Sequence, residues 1–364
     1  MPTWIVPPST APRRTATLAA GLLLAALAPG AATAAEDDAG GAPSAFTVED
    51  PRITESSGIQ ASRRHPGVYW THNDQDPAGP NLYAVDSATG QTVATVTLSG
   101  VEGRDLEAIS IGPDGDLYVG DIGDNLDGGW PEVWIYRLPE PAELADATVT
   151  PTVYPVTYAD GPRDAEALMV HPETGRVYVV SKKQDGTGAL YAAPGELSTE
   201  GVNTLERVAD IGLWTTDGAF SPDGTRLVLR GYFAARVYRW EDDGPVPIER
   251  SVFPPVQQQG ESVTFAPDGR TLMFGTEGAG SEVEPVELSG DLLPVAAGAE
   301  EDGVDEGRDG TGGENAASSD GGDGADADDS GLLTRGAVLV GLGVVAVLGL
   351  RRLLRGGGGR RRGA

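Results

Sequence analysis

A recurring hairpin constrains this chain more than any other feature. The stretches "AISIGPDGDLYVGD", "ALMVHPETGRVYVV", "AFSPDGTRLVLRG" and "VTFAPDGRTLMFG" each set a turn between two short apolar runs. An earlier, degenerate copy is "GIQASRRHPGVYWT". The turn prolines are Pro66, Pro113, Pro172, Pro222 and Pro267, separated by 47, 59, 50 and 45 residues. Proline presets φ at the first central position of such a turn, and glycine supplies a positive φ after it. Apolar runs rich in Val, Ile, Leu and Tyr, broken by Gly, Pro and Asp, read as strands. A β-type unit repeating at about fifty residues is the period of a β-propeller blade.

Outer strands follow each hairpin. They are "NLYAVD" and "TVATVTLSG" in the first unit, and "VWIYRL" and "TVYPVTYA" in the second. The third has "ALYAAP" and "LERVADI", and the fourth "RVYRWE" and "PIERSVF". The fifth has only "VEPVEL", so its missing strand is expected from "AFTVED", ahead of the first unit. Closing the ring with an N-terminal strand removes exposed sheet edges. The expectation is an all-β, five-bladed β-propeller over residues 45–292. Six blades are the alternative if the 59-residue interval hides one.

The flanks read as targeting and anchoring segments. Arg13 and Arg14, an apolar run and a small-residue stretch ending at Ala35 make residues 1–35 a secretory signal peptide. Within the linker of residues 293–330, residues 300–330 hold twelve acids against one base and almost no large apolar side chain. Such a segment cannot bury enough surface to offset its ordering entropy and reads as a disordered, acidic, Gly-rich tether. Residues 331–350 carry one charge and span about 30 Å as a helix, the thickness of a hydrocarbon core. Six arginines in residues 351–364 place that tail in the cytoplasm. The sequence thus describes an exported, single-pass bacterial cell-surface protein with an extracellular N-terminal domain. Its partner on this reading is the cell membrane, together with an unidentified extracellular ligand or protein. There is no cysteine, and the formal net charge is −29. So acidic a chain repels nucleic acid, which is excluded as a partner.

The stretches "ESSGIQASRRHPGVYWTHND", "RDLEAISIGPDGDLYVGDIGDN" and "DAEALMVHPETGRVYVVSKK" resemble exported bacterial propeller proteins of the phytase-like, SdiA-regulated and WD-repeat-like group. The resemblance covers most of residues 53–278 and implies the architecture. It does not single out an activity. The Gly-His and Trp-Asp signatures of WD repeats and the Arg-His-Gly motif of acid phosphatases are absent.

Aligning the units on the turn proline puts Ser57, Glu107, Glu166, Thr216 and Glu261 in one column. Asp105 and Asp164 lie two residues earlier, on the same side of a strand, and Asp217 one residue later. The second strands of the units end on the same face. They bring His72, Asn73 and Asp74, then Asp121, Asp124 and Asn125, then Lys182 and Lys183, Arg230 and Glu277. Close carboxylates raise one another's pKa unless a cation or basic group compensates. "THNDQD" and "DIGDNLDGG" offer the oxygen ligands that calcium takes, with Asn73, Asp74, Asp121, Asp124 and Asn125 as its candidate ligands. Glu107, Glu166 and Glu261 are the candidates for general acid and base work, as in glycoside cleavage. His72, Asp105, Asp164, Asp217, Lys182, Lys183, Arg230 and Glu277 are candidate ligand contacts. His65 and His171 precede turn prolines and read as turn residues. There is no Gly-x-Ser-x-Gly elbow, no zinc ligand set and no phosphate-binding glycine loop. The preferred expectation is a calcium-binding scaffold or binding module at the cell surface. The alternative is a cell-envelope hydrolase of a phosphoester, ester or glycoside.

Overall fold

The computed structural model describes residues 42–125 and 128–299. The segments read from sequence as signal peptide, apolar span and basic tail, and the expected linker beyond residue 299, lie outside them. Among the described residues no helix is long and apolar enough to cross a membrane.

The described residues are all-β and propeller-like. A short strand, β1 (Phe46–Thr47), precedes the first unit of β2 (Ser56–Ala61), β3 (Val68–Asn73), β4 (Asn81–Asp86) and β5 (Thr92–Leu98). The second unit has β6 (Leu106–Ile111), β7 (Asp116–Asp121), β8 (Val133–Pro139), then β9 (Ala147–Val149) and β10 (Thr152–Tyr158). The third has β11 (Ala165–Val170), β12 (Val177–Ser181), β13 (Gly188–Ala192) and β14 (Asn203–Ile211). The fourth has β15 (Thr215–Phe220), β16 (Arg226–Gly231), β17 (Ala235–Glu241) and β18 (Gly244–Pro247). The fifth has β19 (Gly260–Phe265), β20 (Thr271–Thr276) and β21 (Glu282–Glu287). Within each unit successive strands pair antiparallel, apart from β9, which pairs parallel with β5 of the first unit. The innermost strands pack in the cycle β2, β6, β11, β15, β19 and back to β2.

The N-terminal strand stands where the sequence puts it. Phe46 pairs with Val283 and Thr47 with Glu282, so β1 completes the fifth unit's sheet. Glu49 then donates its N–H to the carbonyl of Gly90 at 2.8 Å, tying that strand to the first unit. The long interval between Pro113 and Pro172 holds β9, three residues at the rim of the first unit. A second parallel pairing, β10 with β14, joins the rims of the second and third units.

One strand differs from expectation. The fourth strand of unit four is β18, not the later "PIERSVF". Glu241 pairs with Gly244 across Asp242 and Asp243, whose φ values are 49° and 59°. Two central residues with positive φ make the mirror-image turn that matches strand twist, usually supplied by Asn-Gly. An Asp-Asp pair hides it from a search for glycine. The prolines of β18 sit on an outer strand with no further sheet neighbour, where a missing N–H costs little.

The core lies between units. Leu106, Ile109 and Leu117 pack with Trp70 and Leu82 between units one and two. Leu168, Val170 and Val179 meet Tyr118 and Val156 between two and three. Equivalent layers join three to four, four to five, and five back to one through Phe46, Tyr69 and Met273. Inner strands such as β6 and β11 are buried at every position, while β5 alternates. A strand sandwiched between two neighbouring sheets loses the polar side of its alternation. Burying each large apolar side chain contributes about 1.5–3 kcal/mol, which replaces disulfides as the source of cohesion. The folded part runs past residue 292. Leu293 and Ala297 are buried, and Val295 and Ala296 donate their N–H groups to Thr225 Oγ1 and Asp223 Oδ2.

Candidate functional site

The column predicted from the turn prolines occupies one position in the fold. Ser57, Glu107, Glu166, Thr216 and Glu261 are each the second residue of an innermost strand, and all are buried. In each hairpin the pairing register slips at that residue. The slips fall between Ser56 and Ile59, Leu106 and Ala108, Ala165 and Ala167, Thr215 and Asp217, and Gly260 and Ser262. A bulge frees the extra residue from the ladder and re-aims its side chain. The sequence gives no direct sign of it beyond a polar residue inside an otherwise apolar run.

Around Glu107 the structure gathers acids from neighbouring units. One oxygen from each of Asp74, Asp105 and Glu107 lies within 4.8 Å of the other two. Asp105 is wholly buried and accepts from Gln75 Nε2 at 3.2 Å and Asn125 Nδ2 at 3.0 Å. Glu107 is 2% exposed, and its Oε1 has no hydrogen-bond partner. Burial, then the charges of Asp74 and Asp105, hold its carboxyl well above the usual range, with Lys182 opposing. Gly123 closes over this cluster. A Cβ there would stand 2.6 Å from both Asp105 Oδ2 and Glu107 Oε1, so only glycine leaves the space open. The donor set is all oxygen, as calcium and magnesium require. An orphaned buried carboxylate oxygen and a cradle that a methyl group would fill both fit a divalent cation.

Glu166 is the equivalent residue of the next unit and has a different environment. Its Oε1 forms a buried salt bridge with Lys182 Nζ, whose ammonium also lies 5.3 Å from the ring centroid of Tyr232. The same lysine thus holds Glu166 and exerts its field on Glu107.

Other predicted residues are engaged in the framework. Asn73 accepts the N–H groups of Thr54 and Glu55 and donates to the carbonyl of Arg52. Asp121 accepts from Arg104 N, Asp105 N and Tyr136 Oη. Asp124 Oδ2 accepts from Trp130 N, and Asp164 Oδ1 from Asp124 N. Asp217 bridges two units, taking Gly218 N at 2.7 Å and Val263 N at 2.8 Å; burial still pushes its carboxyl well above the usual range. Arg230 is fully buried and donates to the carbonyls of Ser262 and Gly275 and to Gln257 Oε1. Burial lowers its guanidinium to about 10. His72 is completely buried, its Nδ1 3.2 Å from the Asn73 carbonyl, and burial holds it down to about 4, so the ring is neutral. Lys183 and Glu277 are half-buried at the same end. Gln75 and Gly123 belong to the site and were not singled out from sequence.

No family model and no curated protein matches the chain. A solved structure described as a gluconolactonase from Xanthomonas campestris is similar to it at 14% identity and a TM-score of 0.39. The match covers 66% of this chain and 72% of that one. With no family model matching, the resemblance to the phytase-like and SdiA-regulated group has no support from the comparisons. No residue role is taken from the solved structure.

The functional expectation is corrected here. A module presenting a carboxylate-rich face to a macromolecular partner needs exposed acids. Asp105, Glu107, Glu166 and Glu261 are instead all buried.

Proposed function

We propose that this chain is a hydrolase acting from the carboxylate end of a five-bladed ring. One observation carries the reading. Glu107 and Glu166 occupy the same position in adjacent units, yet one sits among acids and the other is paired with a lysine. A carboxylate repeated only to cap backbone amides has no need of that asymmetry, whereas acid–base work depends on it.

Asp74, Asp105 and Glu107 would hold a divalent cation, calcium being the natural choice for an all-carboxylate set. Such an ion polarises a carbonyl or phosphoryl oxygen and lowers the pKa of water bound to it. Lys182 pairs with Glu166 Oε1, which leaves Glu166 Oε2, without a hydrogen-bond partner among the described residues, to accept a proton from an attacking water. The Lys182 ammonium also favours negative charge developing on the substrate oxygen. Gln75 and Asn125 fix the Asp105 carboxylate. The substrate has an ester, phosphoester or glycosidic bond exposed at its end. Export and anchoring through residues 331–350 would place this reaction at the outer face of the cell.

The test is a panel of p-nitrophenyl acetate, phosphate and glycosides, with calcium and with chelator. Calcium-dependent release on one member is expected, lost in Glu166→Gln at a temperature below that variant's own cooperative melting transition. Gly123→Ala should abolish calcium binding in a folded protein. Release no faster than buffer on every member, with calcium bound, would remove the hydrolase reading.

A further inference from the structure

The same inner strands form a second site at their other end. Five residue steps of about 3.3 Å each separate the two ends by about 16–17 Å. Here the turn prolines return: Pro66, Pro172, Pro222 and Pro267 rim a cavity of about 480 Å³, and all five innermost strands contribute to its lining. The sequence gives these prolines only a turn role.

The chemistry of this cavity is the opposite of the carboxylate end. In a chain of 55 acids and 26 bases, no acidic side chain lines it. Its walls are Ile111, Val170, Phe220 and Phe265 with the proline rings, and its one charged residue is Arg63. Several polar neighbours already have partners. Ser110 Oγ accepts the N–H of Val170, and Thr264 Oγ1 donates to the carbonyl of Phe265. Arg63, an exposed residue of the lining, donates one N–H from Nη1 to the carbonyl of Gly112 at 2.8 Å, which ties the guanidinium to the end of β6. It makes no salt bridge with a described residue. Glu140 and Asp114, whose charges act on Arg63, make their hydrogen bonds and ion pairs elsewhere: Glu140 accepts from Ser62 Oγ, Trp70 Nε1 and Arg64 N, and Asp114 is bridged by Arg137. The size lies in the range of small-molecule pockets, which are mostly apolar with a few placed polar groups.

We infer that this end of the ring binds a small apolar molecule carrying a carboxylate, its chain among the proline and phenylalanine side chains and its anion on Arg63. The site is separate from the proposed hydrolytic centre and does not depend on it. A guanidinium offers five N–H donors in a planar fork, and the bond to Gly112 leaves the rest for a carboxylate.

The probe is octanoate, titrated calorimetrically into the full chain, with octylammonium as the charge-reversed control. Saturable one-to-one binding of octanoate is expected, unchanged by chelator or by Glu166→Gln. Arg63→Ala should weaken it at least about tenfold, and Gln60→Trp, which fills the mouth, should abolish it. Octylammonium should bind at least about tenfold more weakly than octanoate. No octanoate binding up to about 10 mM, equal binding of the two probes, or equal binding by Arg63→Ala would each overturn the inference. Because neither variant touches the carboxylate end, loss of this site and loss of hydrolysis are read independently.

Discussion

Glu107 should make the cation-free protein lose stability as pH rises. Its folded carboxyl titrates well above the usual range, first through burial and then through Asp74 and Asp105. In the unfolded chain a glutamate titrates near 4.3. Between those two values the folded state holds a proton that the unfolded state has released. The stabilisation is therefore complete below the unfolded value and is lost as pH rises towards the folded one. Each pH unit in that window costs about 1.4 kcal/mol. For a domain of this size that is roughly 3–6 °C per pH unit. Glu107→Gln keeps the shape and removes the titration. In chelator, its melting temperature should match the wild type near pH 5 and exceed it by several degrees at pH 7. Asp217 has the same sign but is present in both proteins and cancels in the difference. Added calcium should close the gap by stabilising the wild type alone. A difference that stays constant across that range, or that shrinks with rising pH, would refute the argument.

Three further outcomes follow from the contacts. Asp217→Asn leaves one acceptor oxygen for two backbone N–H groups, so it should cost about 1–3 kcal/mol in urea unfolding without changing hydrolysis. Arg230→Met strands the carbonyls of Ser262 and Gly275 and should cost about 3 kcal/mol or more, with hydrogen exchange rising first in β19 and β20. Lys182→Met leaves Glu166 buried without its counter-charge and should cost about 3–5 kcal/mol. Adding Glu166→Gln should recover part of that loss in denaturation midpoints, and full additivity would show that the pair is not coupled.

The turn chemistry made most of the architecture legible. Proline and glycine marked every inner hairpin, and the missing strand of the fifth unit led correctly to Phe46. The misses have local causes. The turn at Asp242 and Asp243 uses aspartates where glycine is the usual signal, and β9 is too short to show a pattern. At the site, spacing placed Glu107, Glu166 and Glu261 equivalently, but hydrogen-bond partners cannot be read from spacing. Asp217 and Arg230 looked like ligand contacts and instead fasten the fourth unit to the fifth. Asn73 and Asp121 looked like metal ligands and instead hold local backbone. Conversely, Gly123 read as one loop glycine among many, and only its closeness to Glu107 gives it a role.

The pairing of Phe46 with Val283 also sets an order of events. The strand that seals the sheet is among the first parts of the domain to be made, and its partner is among the last. Until β21 arrives, β1 has nothing to pair with, and the apolar layer containing Phe46, Tyr69 and Met273 is incomplete. The cost of bringing such distant segments together grows only slowly with separation, so the delay comes from waiting for the last strand more than from the search. During that wait the ring has an open seam, and a second unfinished copy can donate the same strand. Chains cut short before β21 should therefore associate with one another, whereas a chain rejoined so that β1 follows β21 directly would close its seam by a local step.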